Sequence, residues 1–216
     1  MGVARSSQGA PRAGAHSRET ILEAAAQLAT VDGLEGLSIA QLATAVGMSK
    51  SGLYAHFDSK LELQLATIAT AREVFHREVV EPGEAAPPGA ARVLALCDAF
   101  LSHVERRVFR GGCFMCSVGA EVNVRPGPVR DSIIEFAGGW LETIEVAVRE
   151  AQSLDEISLE VDPAQFAFEA DALLIAASLA FPLFGDRTVL ERAQLGVSER
   201  LRTAARGPAE DAGAVP

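Results

Sequence analysis

Apolar residues recur along this chain at the three- and four-residue spacing of a helix, and alternation in twos never persists. Ile21, Leu22, Ala25 and Leu28 place a first helix over 17–31, which Asp32-Gly33 ends and Leu34 and Leu37 cover. Ile39, Leu42 and Ala43 give a short second helix one apolar face, with Ser38 positioned to cap its free N–H groups. Gly47 stands where the chain must reverse. Ser49 then caps a third short helix whose inward anchor is Leu53, leaving Lys50, Ser51, Gly52 and Tyr54 outward. A long amphipathic helix over 60–80 follows, carrying Leu61, Leu63, Leu65, Ile68, Val74 and Phe75.

Glu81 to Gly89 reads as a loop from its Pro and Gly content. Beyond it, Val93, Leu96, Cys97, Phe100, Leu101 and Val104 define a helix over 90–107, with Arg106, Arg107 and Arg110 suited to its C-terminal dipole. Gly111-Gly112 allows a close turn before another apolar helix, and Arg125-Pro-Gly-Pro-Val-Arg130 breaks the chain again. Ile133, Phe136, Trp140, Ile144 and Val148 mark a helix over 128–152. Asp162-Pro163 opens a helix to Phe184 that is apolar nearly all round, so part of its surface needs a partner outside the monomer core. Asp186 caps a last helix over 187–204. The reading is an all-α protein: a disordered arm (1–16), a three-helix head (17–60), a helical body (61–205) and a disordered tail (206–216).

Composition agrees, with 49% hydrophobic residues and only 6% aromatic. The formal net charge of −10 is unevenly placed. Residues 1–60 balance five Lys/Arg against five Asp/Glu, so the whole excess lies in 61–216. Acidic charge away from a contact surface opposes indiscriminate binding to nucleic acid. No stretch of eighteen apolar residues is free of charge and Pro, so no membrane span is expected. Met1 to Ala15 lacks the apolar core of a secretory signal, and three cysteines are an odd number for a disulfide framework. A cytoplasmic protein is expected.

Two helices crossing through a short Gly-containing turn are the helix-turn-helix signature, whose second helix enters a DNA major groove. The outward residues suit that task. Lys50 can donate to guanine O6 or N7, or to a phosphate, and Ser51 can donate or accept at either. Gly52 lets the backbone approach closely, while Tyr54, His56 and Lys60 are donors of the kind that hold phosphate oxygens. Arg5 and Arg12 could serve a minor-groove arm, or simply sit in a floppy tail.

The run Gly-Met-Ser-Lys-Ser-Gly-Leu-Tyr-Ala-His-Phe-Asp-Ser-Lys at 47–60, within Ile21 to Leu65, resembles the DNA-binding domain of tetracycline-repressor (TetR) family regulators. The resemblance implies Lys50, Ser51, Gly52 and Tyr54 nearest the bases, with Ser38, Ser49, Tyr54, His56 and Lys60 on the backbone. Ala40 stands where some relatives carry a long base-reading side chain. It further implies a homodimer joined by the last two helices, a double-stranded DNA operator, a small-molecule effector in the body, and the long fourth helix as connector. A shorter likeness, at Gly111 to Val122 and 125–130, is to one branch of the family's ligand-binding domains.

Phe100, Phe114, Met115, Trp140, Phe166 and Phe181 are the expected effector-binding residues, although plain core packing would use the same types. Cys113 and Cys116 have the spacing of a redox pair, and the first would sit at a helix start that favours thiolate; as small buried hydrophobes they would need no such role. A zinc site would need two more ligands, and none lies nearby in sequence, so no metal and no cofactor is expected. No nucleophile elbow, phosphate loop, His-Glu-x-x-His or dinucleotide fingerprint occurs, so no enzyme is expected. The expectation is a repressor released from a palindromic operator by a small apolar effector. The alternative is a thiol-based sensor acting through Cys113 and Cys116.

Overall fold

The computed structural model describes residues 18–122 and 126–206. The expected arm, the tail beyond Arg206 and Arg125 of the expected break lie outside the described residues. Among the described residues all regular structure is helical: α1 (Arg18–Asp32), α2 (Ile39–Ala45), α3 (Lys50–Tyr54), α4 (Lys60–Phe75), α5 (Glu81–Glu84), α6 (Ala90–Glu105), α7 (Phe114–Val122), α8 (Pro128–Ser153), α9 (Pro163–Phe184) and α10 (Thr188–Arg206). The all-α class expected from periodicity is observed.

Helix starts are set locally. Ser38 Oγ accepts from Gln41 N at 3.1 Å, Ser49 Oγ from Gly52 N at 3.1 Å, and Ser59 Oγ from Glu62 N at 3.0 Å. Asp162 accepts from Ala164 N at 3.0 Å and Asp186 from Thr188 N at 2.9 Å. Such caps each contribute about 1 kcal/mol, a large share for α3, which has only five residues. Gly47 between α2 and α3 has φ +66°, a left-handed backbone that a side chain would strain. Ile21, Leu22, Ala25, Leu42, Val46, Leu53 and Phe57 are buried and form the core that fixes α3 on α1 and α2.

The expected break at Glu81 is not there. α4 runs through a π-helical turn (His76–Val80) directly into α5, so the connector stays helical to Glu84. Pro82 has no N–H and its ring crowds the carbonyl four residues back; the wider hydrogen-bond spacing of the π turn just before it relieves both. Gly83 marks a close approach rather than a stop. A Cβ there would lie 2.4 Å from Leu96 Cδ2 and 2.8 Å from Leu96 Cα, so α5 meets α6 only because that residue has no side chain.

In the body, α6 lies against α8, α9 and α10, and α9 against α8 and α10. Trp140 Nε1 donates to Asp171 Oδ1 at 2.9 Å, tying α8 to α9 inside the core. Among the described helices only α9 is long and apolar enough to cross a bilayer. Its Phe166, Ala170, Leu174, Ala177 and Phe181 face is buried in the protein. One face of α9 therefore belongs to the core, while Phe168, Leu179, Leu183 and Phe184 stay exposed.

Candidate nucleic-acid interface and effector groove

The head presents α3 outward. Lys50, Ser51 and Tyr54 are exposed, Gly52 and His56 are half-buried, and Leu53 and Phe57 are buried beneath them. Lys50 and Tyr54 lie four residues apart, one turn, and so share a face. Tyr54 is 62% exposed. Ser49 and Ser51 hydroxyls are 3.2 Å apart, so the cap also positions the side chain beside Lys50. Lys60, expected to point at phosphate, is placed differently. Its Nζ donates to the Glu35 carbonyl at 2.7 Å and lies 3.4 Å from Glu35 Oε2, strapping α4 to the loop after α1.

That loop is also held from the body. Glu121 on α7 accepts from Leu34 N at 2.7 Å and from Glu35 N at 2.8 Å. Beside it, Gln27 Nε2 donates to the Val108 carbonyl at 2.7 Å, Arg110 N donates to Gln27 Oε1 at 3.1 Å, and Gly111 N donates to Thr30 Oγ1 at 3.1 Å. The turn before α7 therefore grips α1. Head and body are joined by directional bonds as well as by the shared helix α4.

A groove of about 470 Å³ opens between α4, the π turn and α5 on one side and α8 on the other. Phe75, Phe136 and Trp140 form its floor, and Arg72, Glu84, Glu135 and Glu142 stand at its rim. Phe75 meets Phe136 and Trp140 edge-on at 5.3 and 5.2 Å. Trp140 stacks in turn on Phe100 at 5.8 Å, deeper in the core. Arg72 pairs with Glu135 at 2.9 Å.

Two family models match the chain. One is described as tetracyclin repressor-like, C-terminal domain, over 89–197, and the other as bacterial regulatory proteins, tetR family, over 21–67. The chain belongs to the tetracycline-repressor family. The curated transcriptional regulator AcuR of Cereibacter sphaeroides is 26% identical over 159 residues, covering 72% of this chain and 71% of AcuR. A TetR regulator from Chloroflexus aurantiacus superposes with a TM-score of 0.81 at 27% identity, covering 86% of this chain and 94% of that one. AibR, solved in complex with isovaleryl coenzyme A and operator DNA, shares the fold at a TM-score of 0.65 and 24% identity, covering 83% and 95%. As a TetR-family member the chain is a DNA-binding transcriptional regulator and not an enzyme.

The expected effector residues of this TetR-family regulator do not come together at the groove. Trp140 lines it, and Phe100 backs Trp140 from the core. Phe114 packs against Phe109 at 5.8 Å, and Met115 is buried on the same helix. Phe166 lies under the Arg200 guanidinium at 5.0 Å, and Phe181 under that of Arg107 at 5.7 Å. These four are core side chains away from the groove. Phe75 and Phe136 line the groove with Trp140, and sequence reasoning had put both only on helix faces. It also missed Glu121, a lone acidic residue on an apolar helix, and Ser59, although Ser59-x-x-Glu62 is a capping-box pattern.

The cysteine pair gains no support as a sensor. Cys113 is fully buried and Cys116 is half-buried, so no oxidant in solvent reaches the first sulfur in this conformation. The hydrogen bond between them, reinforced by burial, pushes the Cys116 thiol far up from its ordinary value. Cys113 N donates to Ser178 Oγ at 3.2 Å, which ties the turn to α9. Both sulfurs act here as small core groups.

Proposed function

We propose that the chain is a ligand-responsive repressor that holds a palindromic operator as a homodimer in the cytoplasm and releases it when a small molecule fills the groove. The observation that carries this reading is the bare face of α3. Lys50 and Tyr54 project together from a five-residue helix pinned by a cap and a buried leucine, on a domain of the DNA-binding class. An apolar body under a phenolic hydroxyl costs little to expose if the hydroxyl meets phosphate and the ring covers sugar.

Pairing is supported by the solvent face of α9 and α10. Phe168 (64%), Leu179, Leu183 (75%) and Leu195 stay exposed there, and Phe168, Leu179 and Leu183 follow helical spacing along one stripe. An apolar stripe of this length on a helix otherwise packed in the core fits a second copy of the same stripe.

The effector reading rests on the groove's place. It touches α4, which carries the head, and Trp140, which is bonded to α9 of the pairing surface. A coupling of about 1–3 kcal/mol between groove and head gives a useful switch. The coenzyme A thioester bound by AibR is polyanionic, whereas this rim holds three carboxylates and one arginine, so an effector of that charge is disfavoured here.

Gel-shift titration of DNA from upstream of the protein's own gene tests the contact map. Lys50→Ala should weaken binding by about tenfold or more and reduce its salt dependence, and Tyr54→Phe should weaken it less. Unchanged affinity in both variants would remove α3 as the reading helix.

A further inference from the structure

Two of the groove's carboxylates have no cationic partner among the described residues. Its rim holds Glu84, Glu135 and Glu142, and a second cleft of about 250 Å³ continues past Glu84 and Glu142, sharing Gly139 and Thr143. The cations along this path already have partners: Arg72 on Glu135 at 2.9 Å, Arg92 on Glu150 at 2.7 Å, and His76 within 3.2 Å of Glu81. Among the described residues Glu84 and Glu142 have no ion-pair partner. Below them lie Phe75, Phe136 and Trp140, with Phe75 edge-on to the other two, as a buried apolar floor. Carboxylates at the mouth attract a cation, the apolar floor accepts a flat apolar body, and the partly enclosed wall strengthens the attraction.

The wall between floor and rim is Gly139. A Cβ built there would meet nothing within 4 Å, so in the middle of a long helix the chain keeps an open face where any other residue would fill space. Gly in a helix interior is less favourable than Ala. The local fold does not need it, because no neighbour approaches. A side chain there would project into the space the groove occupies.

We infer that the effector is an organic monocation with a flat apolar body, of the quaternary ammonium or N-alkylated heteroaromatic class. The flat part lies over Phe75, Phe136 and Trp140, and the charge turns toward Glu84 and Glu142. This names the ligand class of the site in the proposed function and rests on that reading. It also replaces the expectation of a purely apolar effector with one whose charge provides the selectivity. A groove of this size accepts a ligand of two or three fused or linked rings.

The test is calorimetric binding to the full-length protein, with Trp140 emission as a second readout, since Trp140 is the chain's only Trp. Three probes of nearly one shape separate charge from bulk: N-methyl-4-phenylpyridinium, 4-phenylpyridine (uncharged at neutral pH) and biphenyl-4-carboxylate. The cation should bind about tenfold or more tightly than the neutral probe, and the carboxylate most weakly. The double variant Glu84→Gln/Glu142→Gln should bring the cation down to the neutral probe's affinity and leave the neutral probe unchanged. Gly139→Leu should abolish binding of all three while helix content and thermal midpoint hold or rise. Equal affinity for the three probes, cation binding that survives both sets of substitutions, or no cation binding at millimolar concentration would overturn the inference. Operator binding by the ligand-free protein is followed in parallel. If that fails while the charge preference holds, the regulatory reading falls and the site stands.

Discussion

Tyr54 is the only tyrosine in the chain, and the fold leaves it in solvent while the head's one phenylalanine, Phe57, is buried. His103 is the opposite case. It is buried on α6 with neither ring nitrogen hydrogen-bonded among the described residues, edge-on to Phe75 at 5.9 Å and to Phe109 at 5.5 Å. Burial, with Arg106 adding to it, pulls its pKa from 6.5 down to about 4. Between those values the unfolded chain takes a proton that the folded chain refuses, so stability falls as pH drops through that window. Urea unfolding at about pH 7 and about pH 5 should show wild type losing about 2 kcal/mol more than His103→Phe does over the same interval. Equal losses would mean that the imidazole finds a partner or water. Asp171 shows the same cause with the other sign, since burial raises its pKa against the Trp140 hydrogen bond that lowers it.

Elements were legible in this sequence where the deciding contact is local. Ser38, Ser49, Asp162 and Asp186 cap helices within three residues of themselves, and those starts stand where the pattern puts them. Pro82 and Gly83 misled because each is a breaker by its own backbone, while a π turn behind one and Leu96 beneath the other keep the helix running. The groove was illegible for a related reason. Phe75, Phe136 and Trp140 meet only when α4 crosses α8, whereas Phe114, Phe166 and Phe181 carry equally strong apolar signals into other parts of the core. Glu121 is the clearest long-range element, because its two bonds span 87 and 86 residues. Bonds to a carboxylate contribute about 1.5–3 kcal/mol when shielded and less at a half-exposed site. Glu121→Ala should therefore loosen the loop after α1 by about 1–2 kcal/mol, read as faster amide exchange at Leu34 and Glu35. Operator affinity of the variant should also respond less to an effector. Unchanged exchange would show that α4 alone carries the head.

At the scale of the whole molecule, the proposed function divides the work among three surfaces: α3 for DNA, the α4–α8 groove for the effector, and the α9–α10 stripe for the second copy. The charge distribution suits that division, with a balanced head and all of the net −10 beyond residue 60. On that proposal the head would gain contacts by being doubled, because one five-residue helix offers too few for tight binding at cellular salt. Symmetry is therefore the central claim, and it has a direct measurement. The full-length protein is used to select from a pool of random double-stranded DNA, beside a Leu179→Glu/Leu183→Glu variant that keeps its helix content. The account predicts that wild type enriches an inverted repeat with half-sites on successive major grooves, and that the variant sediments as a monomer and enriches nothing. Enrichment of an asymmetric sequence, or of the same repeat by a monomeric variant, would contradict it.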